Sequence, residues 1–219
     1  MKLLFSIFAF TSTLAHASEF SAFVNNNKLY ATVIGDRCNE YGGTLNVSPQ
    51  CDKRSGNRRG VGVCEAELEV SMTEKNCGPG IRGRVVEIPL AQTQVHPMAT
   101  RLMLEYSGDV LEIPIEKSTI SGFVKDNVLF LTVLGNNCDS LSGGIQVDAS
   151  CNADRLTKNF ALTCQADVIV KRETHNQCLA AIPKGHTFQI DLAKSKVAKE
   201  ARNLILNYGD EIIHVQINK

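Results

Sequence analysis

FSAFVNNNKLYATVIGDRC, residues 20–38, decides the fold, because ISGFVKDNVLFLTVLGNNC repeats it at residues 120–138. The register continues beyond this stretch. Cys38, Cys51 and Cys64 fall on Cys138, Cys151 and Cys164, and Cys77 falls on Cys178 after a one-residue insertion. TRLMLEYSGDVLEIPI (100–115) then matches RNLILNYGDEIIHVQI (202–217). A match sustained along the whole unit is the signature of an internal duplication. It divides the chain into a first repeat, 18–116, and a second, 117–219. The joint between them, Glu116 to Thr119, has no Gly, Pro or low-complexity run, so the two units are expected to touch rather than hang on a tether.

Each unit reads as strands. Phe20–Val24 and Lys28–Ile34 flank an Asn25-Asn26-Asn27 turn, which becomes Lys125-Asp126-Asn127 in the second unit. Glu65 to Val70 alternates strictly, with Ala66, Leu68 and Val70 on one face and three carboxylates on the other. Arg101–Tyr106 and Asp109–Ile115 form a second hairpin across Ser107-Gly108, and Pro114 places the last strand at a sheet edge. Further strands are expected near Gly43–Val47 and Arg84–Leu90. Asp191–Arg202 could hold a short turn of helix. The fold class is therefore all-β: two tandem, disulfide-bonded, sandwich-like or barrel-like repeats of about seven short strands each.

The N-terminus, MKLLFSIFAFTSTLAHASEF, joins a basic residue, a short apolar run and the small-x-small pattern Ala15-His16-Ala17. That is the pattern of a signal peptide over residues 1–17. Export, to the periplasm or the medium, then explains eight cysteines as four disulfides. Tight metal-ligand pairs such as Cys-x-x-Cys are lacking, so no metal site is expected. Facing residues of an antiparallel hairpin have position numbers of constant sum. Cys38 with Cys77 and Cys51 with Cys64 both sum to 115, which favours nested Cys38–Cys77 and Cys51–Cys64 bonds over the other two connectivities. The same argument gives Cys138–Cys178 and Cys151–Cys164.

Twenty-three basic residues balance twenty-three acidic ones, so bulk charge points to neither nucleic acid nor an anionic membrane. Nor does any stretch after the N-terminus suggest a membrane span. No catalytic constellation and no cofactor motif stands out, and a non-enzymatic protein is expected. The histidines are not duplicated: His96, His175, His186 and His214 align with Ala198, Lys75, Arg84 and Glu112. They read as solvent-side residues. Glu65, Glu67 and Glu69 could be read as paired carboxylates for glycoside chemistry, but period-two placement on an outer face explains them better. Asn46-Val47-Ser48 is a glycosylation sequon that matters only in a eukaryotic secretory route.

One segment differs usefully between the copies. DKRSGNRRGVGV (52–63) carries Lys53, Arg54, Arg58 and Arg59, whereas its counterpart keeps only Arg155 and Lys158. A Cys51–Cys64 bond would pin both ends of this basic loop and lower the ordering cost of binding. The sequence thus points to an exported module presenting disulfide-anchored loops to an extracytoplasmic protein or glycan. Inhibition of a trypsin-like protease through the basic loop, or a structural role in an envelope, are the alternatives.

Overall fold

The computed structural model describes residues 19–36, 39–51, 62–73, 80–148, 151, 163–174 and 180–217. The expected signal peptide and the basic loop residues Lys53, Arg54, Arg58 and Arg59 lie outside these residues. The first half contains β1 (Ser21–Asn25), β2 (Lys28–Asp36), β3 (Glu40–Val47), β4 (Val63–Thr73), β5 (Ile81–Pro89), β6 (Arg101–Tyr106) and β7 (Asp109–Pro114). The second contains β8 (Ile120–Lys125), β9 (Val128–Asn136), β10 (Asp139–Val147), β11 (Thr163–Thr174), β12 (Pro183–Asp191), β13 (Asn203–Tyr208) and β14 (Glu211–Gln216). Each half splits into a three-stranded sheet, ordered β1-β2-β5 or β8-β9-β12, and a four-stranded sheet, ordered β3-β4-β6-β7 or β10-β11-β13-β14. The sheets are open, so the sandwich form of the expected fold is the one adopted and the barrel form is not.

Turn chemistry sets the hairpins. Asn26 and Asn27, like Asp126 and Asn127, have positive φ at both central positions of two-residue loops. These are primed turns, whose twist matches that of the strands they join. Ser107-Gly108 repeats the device between β6 and β7. Pro114 ends β7, an edge strand as expected. The segment 191–202 contributes one 3-10 turn, Leu192–Lys194, after β12.

Two sandwich cores form separately. Leu29, Ala31, Val33, Leu68, Val86, Leu102 and Leu104 pack in the first, and Leu129, Leu131, Val133, Phe188, Leu204 and Leu206 in the second. Gly43 lets β3 lie close on β5: a Cβ there would run into Val86 and stand 3.3 Å from Ile88 Cδ1. Gly143 plays the same part beneath the Phe188 ring, which explains why both copies keep this glycine.

Alternate residues of β1 and β2 are buried on the opposite face. Phe23 stacks on Tyr30 there, and Phe123 stacks on Phe130 in the second half. Thr32 and Thr132 hydroxyls meet at 2.6 Å, and those of Ser21 and Ser121 at 3.1 Å, all of them buried. The three-stranded sheets therefore pack against each other, giving four layers with the four-stranded sheets outermost. Between the halves, Ser118 N donates to Val24 O, and Asn25 Nδ2 donates to Ser118 O. The joint is thus fastened to β1 as well as being continuous with β8.

Cys51–Cys64 and Cys151–Cys164 are bonded, with Cα–Cα separations of 5.1 and 5.2 Å. Cys138 is also disulfide-bonded, while Cys38, Cys77 and Cys178 fall outside the described residues. The facing register corrects the constant-sum argument. Glu40 faces Thr73 and Val47 faces Ala66, so facing numbers total 113 rather than 115. The missing two residues are taken up by a tight turn in which Cys51 N donates to Ser48 O. Cys51 thereby doubles back to meet Cys64 instead of lying opposite it in the ladder. Asp148 and Cys151 repeat the turn.

Candidate binding surface

The bonded cysteines close the root of the basic loop. Cys51 and Cys64 are 3% and 0% exposed, so the anchor is part of the first core. At the loop's far end the Gly62 carbonyl accepts from Thr100 N, Arg101 N and Thr100 Oγ1, at 3.1, 3.0 and 2.7 Å. Both ends of segment 52–61 are thus held by buried or hydrogen-bonded residues.

Beside this root lies an open groove of about 500 Å3 on the outer face of β3-β4-β6-β7. Asn46, Ser48 and Pro49 form its wall on the loop side, Glu65 and Glu67 its floor, and Met103, Glu105 and Val110 its far side. Strand register explains the assembly. Glu65 stands across from Met103 and Glu67 across from Glu105 in the parallel β4–β6 pair, and Val110 faces Glu105 from β7. Like charges placed opposite one another cost stability, so the Glu67–Glu105 pair is not a stabilising feature of the sheet. Arg101 pairs with Glu112 at 2.6 Å, but among the described residues no cation pairs with Glu65, Glu67 or Glu105. Val110 is 54% exposed, which adds an apolar spot to the acidic surface.

The equivalent face of the second half has a different chemistry. Gln165, Asp167 and Ile169 replace the three β4 glutamates, Ile205 and Asn207 replace Met103 and Glu105, and Ile212 replaces Val110. Ile169 and Ile212 are 45% and 62% exposed. The same strand pattern thus carries an acidic face at one end of the stack and a nearly uncharged, partly apolar one at the other.

Glu65, Glu67 and Glu69 stand in solvent, as their alternation implied. The groove that Glu65 and Glu67 share with Glu105, Met103 and Val110 was not visible in the sequence. It depends on a parallel β4–β6 pairing, and that requires β5 to leave for the other sheet between them. The histidines correct the solvent-side expectation. Of the described ones only His214 is exposed, whereas His96 and His186 are half-buried. His96 Nδ1 accepts from Met98 N, and His186 Nε2 lies 2.9 Å from Asn136 O. Arg84, aligned with His186, donates from Nε to the equivalent carbonyl of Asp36 at 2.7 Å. The two side chains therefore tie the same backbone point in each half. His175 is outside the described residues.

Among the described residues no cluster of three or more His, Cys, Asp or Glu is arranged to hold a metal ion, and no helix is long and apolar enough to cross a membrane. The Cys51–Cys64 and Cys151–Cys164 bonds fit an oxidising, extracytoplasmic environment. No family model matches the chain, and no curated protein or solved structure matches it either.

Proposed function

We propose that this protein is an exported, non-enzymatic binding module of the periplasm or secretome, and that it engages a protein or glycan through the acidic face of its first half and the loop anchored beside it. The observation that supports this is divergence on a common frame. Interior glycines, core positions and hydroxyl contacts agree between the halves, while the charge on the outer face and the charge on the loop do not. Surfaces outside the cores are free to specialise, and here specialisation produced carboxylates that no cation among the described residues pairs with, next to apolar side chains. A cationic partner gains most from such a face, and the gain falls with ionic strength.

The test is capture on immobilised chain beginning at Ser18. A partner from the extracytoplasmic fraction should be retained by the wild type, eluted by salt, and lost with Glu67→Lys plus Glu105→Lys. Substituting Asp167 and Asn207 with Lys, at the equivalent positions, should leave it bound. Equal retention by all three proteins would remove the acidic face from the proposal.

A second reading has a specific observation behind it. The Cys51–Cys64 bond and the Gly62 hydrogen bonds hold both ends of a segment carrying Lys53, Arg54, Arg58 and Arg59. That suits an inhibitor placing an arginine in the acidic pocket of a trypsin-like protease. Trypsin inhibition that disappears with Arg54→Ala or Arg58→Ala would support it. Cleavage of the segment without inhibition would end it for trypsin.

A further inference from the structure

The contact between the halves is self-complementary. Position 21 meets position 121 and position 32 meets position 132, so residues related by the duplication face each other across a pseudo-two-fold axis. The glycines of β5 and β12 obey the same symmetry. A Cβ on Gly83 would lie 2.5 Å from Thr187 Cγ2 and 3.2 Å from Phe130 Cδ1. A Cβ on Gly185 would lie 2.7 Å from Val85 Cγ1 and 3.4 Å from Tyr30 Cδ1. Lys28 pairs with Pro89 and Val128 with Asp191, which makes Gly83 the counterpart of Gly185 and Val85 the counterpart of Thr187. Each glycine thus makes room for the same pair of positions in the opposite half. This is the arrangement of an isologous dimer interface, built here within one chain.

An isologous contact has the same geometry whether the two faces belong to one chain or to two. Neither core depends on it, because the first is built only from residues before the joint and the second only from residues after it. The joint itself is short, and exchange of an identical element between copies is a low-cost route to a dimer. We propose that two copies of this chain exchange halves, the first half of each packing on the second half of the other through the Ser21, Thr32, Phe23 and Tyr30 face. The partner is a second copy of the same chain, and the exchanged dimer carries two acidic faces and two basic loops.

Charge complementation tests the proposal on the full chain. One variant carries Thr32→Asp and Thr132→Asp, and the other Thr32→Lys and Thr132→Lys. Alone, each apposes like charges at a 2.6 Å contact and should remain a monomer by native mass spectrometry. Mixed, they should give a 1:1 species of doubled mass, because only contacts between chains then set an introduced carboxylate against an introduced ammonium. Absence of that species, or doubling of either variant by itself, overturns the proposal. Should a variant fail to fold, isotopically light and heavy wild-type chains taken together through a brief pulse of mild urea decide instead. A dimer of mixed mass supports exchange, and monomers alone overturn it.

Discussion

At the joint between the halves, Ser118 Oγ and the amide and hydroxyl of Thr119 all donate to one carboxylate, that of Glu211. The segment just before β1 repeats the device, with Glu19 N donating to Asp109 Oδ2 at 2.8 Å. Burial pushes the Glu211 carboxyl up, but the donations from Ser118 and Thr119 outweigh it and hold the pKa below its ordinary 4.5. A carboxyl lowered on folding supports the fold above its ordinary pKa and stops doing so as pH falls through the lowered value. The melting temperature of the wild type should therefore fall below pH 4.5, and Glu211→Ala should lower stability near neutrality and flatten that acid slope. Three donors left without a charged acceptor should cost on the order of 2 kcal/mol, read from urea midpoints. Tyr30 behaves in the opposite sense. Burial first, and the Glu87 carboxylate second, raise its hydroxyl above the ordinary 10.0. Stability tied to the neutral phenol is complete below pH 10 and is lost as pH rises through the raised value, so the melting temperature should drop in alkali. Tyr30→Phe, which installs the residue found at position 130, should weaken that drop. Melting curves of both proteins over roughly pH 8 to 12 check it.

Among the strands, the Cys51–Cys64 bond ties the turn that follows β3 to β4. Cys51→Ser with Cys64→Ser should cost about 3 kcal/mol, by the usual restriction of a closed loop of this size in the unfolded chain. A smaller shift in the urea midpoint would mean that the Gly62 hydrogen bonds alone hold the loop root. Strand positions were legible in the sequence because their causes are local: Asn26-Asn27 and Ser107-Gly108 select primed turns, and Glu65 to Val70 shows its alternation openly. The cysteine register was legible only in part. Summing positions assumes an unbroken ladder, and the Ser48–Cys51 turn breaks it by two residues. The groove was hidden for a related reason, since no local pattern announces that β4 and β6 will run parallel. Leu29 to Ile34 did contain a signal for what lay beyond its own sandwich. That run has no period-two polar positions apart from Thr32, as expected of a strand covered on both faces.

Four stacked layers give the whole molecule a gradient of protection. β2 and β9 occupy the middle of the inner sheets, and Leu29, Tyr30, Ala31, Thr32 and Val33 are all buried, as are their counterparts 129–133. Hydrogen–deuterium exchange should find the amides of these two strands the last to exchange and those of the edge strands β7 and β14 among the first. If β2 exchanged as fast as β7, the contact between the halves would not persist in solution. The symmetry of that contact also places the diverged faces on opposite sides of the molecule, so a partner held by the acidic face leaves the Ile169 and Ile212 face open.

The parallel pairing of β4 with β6 has a consequence for how fast the chain folds. Val63 meets Arg101 only after β5 has crossed to the other sheet, so an outer sheet is completed late and through contacts distant in sequence. Non-local pairing of this kind slows folding. Under the export proposed above, slowness would be an advantage. It would keep the polypeptide extended and threadable in transit, and leave the cysteines of each outer sheet to be joined once folding had begun on the far side.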